Sequence, residues 1–369
     1  MAALGRNLHD KAFDEGTLTK LELFRTYMRA WLRVFVDRKE ILWPNINILD
    51  FFAGPGTDKC GNPGSPLVIL EELSIHSETI RSKGLNLRCF FNERDLEKFA
   101  LLDALVKAER QRNPPYHLET AKANFKEAFR SKLPALHAAS SANLLFLDQT
   151  GIMQIDPETF RELISIKRSD FLFFISSSTI KRFGDQASFQ KYVKLSKEEI
   201  ASTPYLAFHR KILEWYKSLV PPGTQYYLAP FSIKKSSGTY GIIFGSGHPL
   251  GMEKFLTAAW QIDSMRGEAN FDIDAEGIQP DQYDIFSGEL PRPKKVELFE
   301  RELSKKILER EIQTNRDMYF YTITSGFTPS HARKVFRELV QGKKVKKTPL
   351  LLRHDVGRGR NPITEIQTV

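Results

Sequence analysis

Residues 48–58 read ILDFFAGPGTD, an apolar run that ends in an acid and passes into two glycines around a proline. In an open α/β sheet, ligands sit beyond the carboxyl ends of the strands, and glycine lets backbone approach a ligand with no Cβ between them. The stretch therefore predicts a first strand, its ligand-facing end and the bend that follows. The neighbouring chain extends the pattern. Apolar runs at 46–52 (INILDFF), 85–91 (LNLRCFF), 142–148 (ANLLFLD) and 171–175 (FLFFI) read as strands buried on both faces, and PLVILEELS, DLEKFALLDALVKAERQ and PETFRELISI between them read as helices. Such alternation means βαβ units, hence a Rossmann-like α/β fold whose parallel sheet is covered by helices on both faces. YHLETAKANF at 116–125 is a further strand candidate, and TQYYLAPFSI with TYGIIFGS, joined by the polar KKSSG turn, predicts a hairpin added to the sheet. Ahead of the first strand, Leu21, Phe24, Met28, Trp31, Leu32 and Phe35 recur at helical spacing and predict a helix over 17–38 packed on this domain.

A chain of 369 residues exceeds one average domain. The proline and charge cluster GELPRPKKVE at 288–297 marks the expected boundary, giving domains 1–290 and 291–369. Two cysteines, Cys60 and Cys89, exclude a disulfide framework and a cysteine-based zinc site, and the eight histidines lack HExxH spacing, so no metal is expected. The first residues carry acids and no apolar h-region, and FLFFI is too short to span a bilayer, which points to the cytoplasm.

At the bend, Gly54 and Gly56 are candidates for close ligand approach, Asp50 for receiving an ammonium group, and Glu93 in FFNERD for accepting two ribose hydroxyls. The bend lacks the third glycine and compact spacing of a dinucleotide fingerprint, and the chain contains no GxxxxGK[ST]. S-adenosylmethionine suits this set: it offers a ribose to Glu93 and a zwitterionic amino acid end to Asp50 and the glycines, with no pyrophosphate to be cradled. Asp148, at the end of the fourth strand, reads either as a general base that orients an acceptor or as a capping acid. Ser176, Ser177 and Ser178, after the next strand, could face a substrate, although capping is the simpler reading.

With TLTKLELFRTYMRAWLRVF, DFFAGPGTDKCGNPGSPLVILEEL, NERD, LFLDQTG, TYGIIFGSGHPLG and AWQIDSMRG in this order, most of residues 17–275 resembles the three-Cys-motif partner family, whose members look like class I S-adenosylmethionine-dependent methyltransferases. The resemblance implies that Asp50, Gly54 and Gly56 line the methionine end of the cofactor, Glu93 the ribose, and Asn124 with Phe125 the adenine. It also implies a partner protein bearing a three-cysteine, iron–sulfur-type motif. One departure stands out. Where the family has Asp-Pro-aromatic-Gly, this chain has Asp148-Gln149-Thr150-Gly151, without the proline and aromatic that grip a target base, which argues against methylation of an exocyclic base nitrogen. A degenerate, non-catalytic methyltransferase fold serving as a nucleic-acid-binding adaptor is the alternative.

The net charge of +9 lies wholly in residues 291–369, which hold 18 Lys/Arg against 9 Asp/Glu, while the preceding residues balance. That asymmetry points to an anionic partner, most simply nucleic acid. KVELFERELSKKILER predicts an amphipathic helix, NRDMYFYTITSGF leads through Gly326 to a helix start at Thr328 and Pro329, and GKKVKKTPLLLRHDVGRGRNPITEIQ can form a hairpin. This is the layout of a winged helix-turn-helix. Arg333, Lys334 and Arg337 then lie on the outer face of the second helix, and Lys343, Lys344, Lys346, Lys347 and Arg353 meet phosphates.

Overall fold

A computed structural model of the protein describes residues 12–149, 154–184, 186–190, 192, 194–236, 238–278 and 292–369. Its contacts divide the chain into two compact units, Met1–Gly247 and His248–Val369.

The first unit opens with α1 (Glu15–Val36) and β1 (Asn45–Asp50), then α2 (Ser65–Ile75), α3 (Ser77–Ser82), β2 (Asn86–Asn92), α4 (Leu96–Gln111), β3 (His117–Ala121), α5 (Phe125–His137) and β4 (Ser141–Leu147). It continues through α6 (Pro157–Ser165), β5 (Ser169–Ile175), α7 (Ser177–Phe183), α8 (Ala187–Gln190), α9 (Lys197–Ser202) and α10 (Phe208–Ser218) to the hairpin β6 (Tyr227–Lys235) and β7 (Gly238–Ser246). The strands form one sheet in the order β3-β2-β1-β4-β5-β7-β6. Strands β1 to β5 run parallel, whereas β7 is antiparallel to both β5 and β6. This is the Rossmann-like α/β sheet expected from the alternation, with the predicted hairpin added at one edge.

Short polar residues start several of the helices. Asp14 caps α1 by accepting from the Thr17 amide, Asp95 caps α4, Asn124 caps α5, and Asp156 with Pro157 starts α6. Strand burial is nearly continuous in β4 and β5, as parallel strands covered on both faces require. On one face Phe51 meets Phe90, Phe125 and Phe129 edge-on at 5.7, 5.6 and 5.8 Å between ring centroids. These aromatic contacts seat α5 below the end of β1.

The second unit comprises α11 (Pro249–Ile262), α12 (Lys294–Leu308), α13 (Asn315–Thr324) and α14 (Pro329–Gln341). It begins well before the 288–297 cluster, of which residues 288–291 lie outside the described residues. The cause is α11: the Tyr319 hydroxyl donates to Glu253 at 2.8 Å, and Trp260 Nε1 donates to the Gly326 carbonyl at 3.0 Å, so this helix belongs with the C-terminal ones. The expected wing hairpin is not a regular ladder either. Isolated bridges join Thr314 to Glu365, Val345 to Thr368 and Arg358 to Asn361, making an irregular strap over 342–369. Prolines at 349 and 362 and glycines at 342, 357 and 359 interrupt any longer pairing.

Gly245 on β7 pairs with Phe171 on β5, and a Cβ there would lie 2.2 Å from the Phe171 ring. Gly245→Ala is therefore expected to destabilise the protein by about 1–3 kcal/mol through overpacking. An unchanged midpoint on thermal unfolding would refute that packing.

Candidate functional site

The sheet reverses its order of growth between β1 and β4, and three strand ends meet there in register: Asp50 lies opposite Phe91 on β2 and Phe146 on β4. Asp50 is fully buried. Its Oδ1 accepts the Phe52 amide at 3.1 Å, while Oδ2 has no hydrogen-bond partner among the described residues. Burial pushes this carboxyl from an ordinary 3.8 to about 7, against the opposing pull of the Ser65 hydroxyl and the Phe52 amide; Asp148 adds to the rise and Lys20 opposes it. An acceptor oxygen left unpaired at the switch point of a parallel sheet is a place for a donor, and a cationic donor would relieve the burial penalty most.

The following bend keeps its two glycines in left-handed backbone, Gly54 at φ 64° and Gly56 at φ 97°. The Gly54 amide donates to Glu93 Oε2 at 3.0 Å, and Glu93 Oε1 accepts the Asp95 amide at 2.8 Å. Glu93 thus ties the bend after β1 to the end of β2, and each oxygen keeps one further lone pair. Gly56 meets protein on its Cβ side. The space its missing Cβ would fill lies 2.7 Å from Leu105 Cδ1 of α4, so the close approach there is made by protein. Asn92 adds a second tie: its side chain donates to the Phe51 and Ala123 carbonyls and accepts the Ala123 amide. Asn124 is exposed with its oxygen engaged in capping α5, and Phe125 is buried against Phe51 and stacked on Phe52 at 5.2 Å.

At the end of β4, Asp148 is ion-paired and caps no helix among the described residues. Its Oδ2 forms an ion pair with Lys20 Nζ of α1, which is itself buried. Gln149 turns inward, its Oε1 accepting the Gln154 and Ile155 amides, with Nε2 unpaired among the described residues. Thr150 and Gly151 lie outside the described residues. Beside Lys20 stands Lys235, at the end of β6, whose Nζ donates to Thr17 Oγ1 at 2.8 Å. Both ammonium groups lie near the Phe174 ring, at 4.9 and 5.1 Å from its centroid. Burial lowers Lys235 to about 8, aided by Lys20 and resisted by Asp148 and Asp14. The three serines after β5 are structural in part: Ser176 caps α7, and Ser178 bridges the Thr239 backbone and the Tyr205 hydroxyl.

Lys20, Lys235 and Asp58 escaped the sequence reading. Lys20 stands four residues before Phe24 and three before Leu23, at the flank of the apolar stripe, which was its one signal. Asp58 gathers the Phe13, Cys60 and Asn62 amides and the Asn62 side chain. Although partial burial opposes ionisation, those hydrogen bonds hold its carboxyl down to about 2. TDKCGN carried the turn signal for it.

In the second unit the basic candidates divide. Arg333 donates to the Leu352 carbonyl at 3.2 Å, Lys334 pairs with Glu300 at 3.1 Å and lies 3.9 Å from Glu338, and Arg353 faces Asp355 at 3.4 Å. Arg337, Lys343, Lys344, Lys346 and Lys347 are exposed and make no ion pair among the described residues.

A family model described as the GMT-like wHTH domain matches residues 271–349, less than half of the chain. No curated protein matches in sequence. Among solved structures, Trm1 from Pyrococcus horikoshii with S-adenosyl-L-methionine is similar at 11% identity over 62% of this chain, with a TM-score of 0.35; the match spans 55% of that protein. A Klebsiella pneumoniae protein assigned as an O-methyltransferase is similar at 12% identity over 62% of this chain and 86% of its own, with a TM-score of 0.33. A Staphylococcus aureus protein assigned as a caffeoyl-CoA O-methyltransferase gives 10%, 61% and 83%, with a TM-score of 0.31. Likeness at this level says nothing of substrate or catalysis.

Two outcomes test the electrostatics. Because the Asp50 carboxyl titrates near 7 when folded and near 3.8 otherwise, the folded chain keeps a proton that the unfolded chain releases between about pH 4 and 7. Stability from this group is thus present at low pH and lost as pH rises through 7, by at most about 4 kcal/mol. Asp50→Asn should therefore raise the unfolding midpoint more at pH 8 than at pH 5, and an equal effect at both would sink the assignment. Lys20→Met should cost about 1–3 kcal/mol by stranding a part-buried Asp148, with Lys20→Met/Asp148→Asn recovering most of it; additive effects in this double-mutant cycle would deny the coupling.

Proposed function

We propose that the protein is an S-adenosylmethionine-dependent methyltransferase that works on or at nucleic acid, held there by its C-terminal winged-helix unit. The observation that carries this reading is the unpaired Asp50 Oδ2 at the sheet's switch point, beside a bend whose amide is held by Glu93. The donor set fits the cofactor: a buried carboxylate for an ammonium group and a second carboxylate, with lone pairs to spare, for vicinal hydroxyls. When bound, S-adenosylmethionine supplies a methyl group already activated on a sulfonium.

This chain's own residues then have modest tasks. Asp50 in its ionised form receives the ammonium, so binding strengthens as pH rises through about 7. Glu93 orients the ribose, while Asn124 and Phe125 mark the adenine side. Asp148 is the group that could take a proton from an acceptor, once Lys20 yields it; water exclusion and alignment supply the rest. The resemblance to the three-Cys-motif partner family adds a proposed partner protein with a three-cysteine motif. The cytoplasm is the proposed compartment. No helix among the described residues is long and apolar enough to cross a membrane.

A second reading has its own support. Lys20 occupies Asp148, and Gln149 serves as a loop brace where a base-gripping segment would lie. A non-catalytic adaptor would have that arrangement. Calorimetric titration of S-adenosylmethionine should give saturable binding, weakened at least about tenfold by Asp50→Ala or Glu93→Ala, a loss of about 1.4 kcal/mol each. Absence of heat at millimolar ligand would remove the cofactor. Transfer of labelled methyl to an extract containing RNA, DNA and protein, with the partner supplied, marks an enzyme; binding without transfer marks the adaptor.

A further inference from the structure

The basic candidates of the second unit fall into two groups with different surroundings. The first turn of α14, the helix a winged helix-turn-helix would send into a major groove, faces a cleft of about 440 Å³ walled on its other side by Glu253, Thr257, Trp260 and Gln261 of α11. Trp260 lies 4.2 Å from the His331 ring, centroid to centroid, and Glu253 places a carboxyl in the same wall. A duplex groove about 12 Å wide must receive an unobstructed helix, and here a neighbouring helix already lies against that turn. Further along α14, Lys334 is paired with Glu300, Arg333 donates to the Leu352 carbonyl and Glu338 stands on the exposed face, while Arg337 is exposed without an ion pair among the described residues.

The strap presents the opposite picture. Val345 is buried and bridges Thr368, the Lys346 amide donates to the Gln367 carbonyl, and the Val369 amide donates to the Lys344 carbonyl. Extended backbone at this bridge turns Val345 inward and sends Lys344 and Lys346 outward on one side. A second cationic group sits on a tight turn, where the Gly357 amide donates to the Asn361 carbonyl at 2.6 Å and Asn361 Nδ2 donates to Asp355 at 2.7 Å. Arg358 and Arg360 project from it, exposed and without an ion pair among the described residues. Both groups of cations thus stand on main chain held by hydrogen bonds, which lowers the ordering cost of the segments that present them to phosphates.

We propose that this unit holds nucleic acid by its phosphate backbone through Lys343, Lys344, Lys346, Lys347, Arg358 and Arg360, with the first turn of α14 withheld from the groove. This rests on the reading that the unit binds nucleic acid, and it makes that binding indifferent to base sequence, since phosphate contacts carry no sequence information.

The test uses the full chain with two fluorescein-labelled DNA duplexes of equal length and unrelated sequence, and a labelled RNA duplex, followed by anisotropy across a potassium chloride series. Equal affinity for both DNA sequences is expected. Lys343→Gln/Lys344→Gln/Lys346→Gln/Lys347→Gln should weaken binding to DNA by about 100-fold and lower the salt slope by about 3 to 4, near 0.9 for each phosphate left without its cation. Arg358→Gln/Arg360→Gln, on an independent turn, should lower it by about 2 and keeps the test decisive if the first variant does not fold. Arg333→Gln/Arg337→Gln should change affinity less than about threefold, as expected of groups that meet few phosphates. The RNA arm shows which backbone is preferred, and the same slope changes there support the proposal equally. A larger loss from the α14 pair than from the strap, or more than about a tenfold difference between DNA sequences, overturns it. Failure of the unaltered protein to bind any duplex refutes the nucleic-acid reading itself, and with it this one.

Discussion

A carboxylate buried where the sheet reverses its order is the constraint around which the first unit is arranged. Asp50 can be held there only because neighbouring groups partly offset its desolvation: the Phe52 amide and the Ser65 hydroxyl favour the charged form, and Lys20 helps from α1. That compensation stops short, leaving one oxygen unpaired. A protein retains so unfavourable a group when something else completes it, and the completing group must donate hydrogen bonds and preferably carry positive charge. The cofactor proposal is the simplest statement of that requirement.

The rest of the site serves to keep this carboxylate and the bend after it in place. Glu93 and Asn92 fasten the ends of β1, β2 and β3 to one another through backbone partners. Asp58 secures the far side of the bend and reaches Phe13 just before α1. Farther up the same helix comes Lys20, which closes on Asp148, with Lys235 alongside. The surroundings of Asp148 are therefore built from one helix preceding the sheet and one strand near its end, elements more than two hundred residues apart in the chain. Lys20 engages Oδ2 of Asp148, so an acceptor proton could pass to that acid only at its other oxygen or with the ion pair rearranged.

The second unit separates shape from charge. Its helices follow the winged-helix plan, and the helix that the plan would make the reader of sequence carries three cations while the strap carries seven. Packing of α11 meets the start of that helix, where Trp260 joins Phe327 and His331 in an aromatic group. The strap, too short of regular pairing to be a ladder, holds its lysines by a single bridge and its arginines by a single turn.

Local chemistry determined much of this protein. Apolar runs bounded by polar caps located the parallel strands to within a few residues, because a strand buried on both faces leaves an unbroken hydrophobic signature. ILDFFAGPGTD announced the end of β1 and the bend after it, since both Gly54 and Gly56 adopt backbone that other residues resist. The net positive charge could be assigned to the C-terminal residues by inspection. Other features depended on segments distant in the chain meeting one another, and these only the tertiary structure decided. Leu105 fills the bare side of Gly56, Lys20 claims Asp148, and α11 joins the helices after it instead of the sheet before it. Periodicity reports which side of an element is apolar, but the partner that covers that side is chosen by the packing of the whole chain.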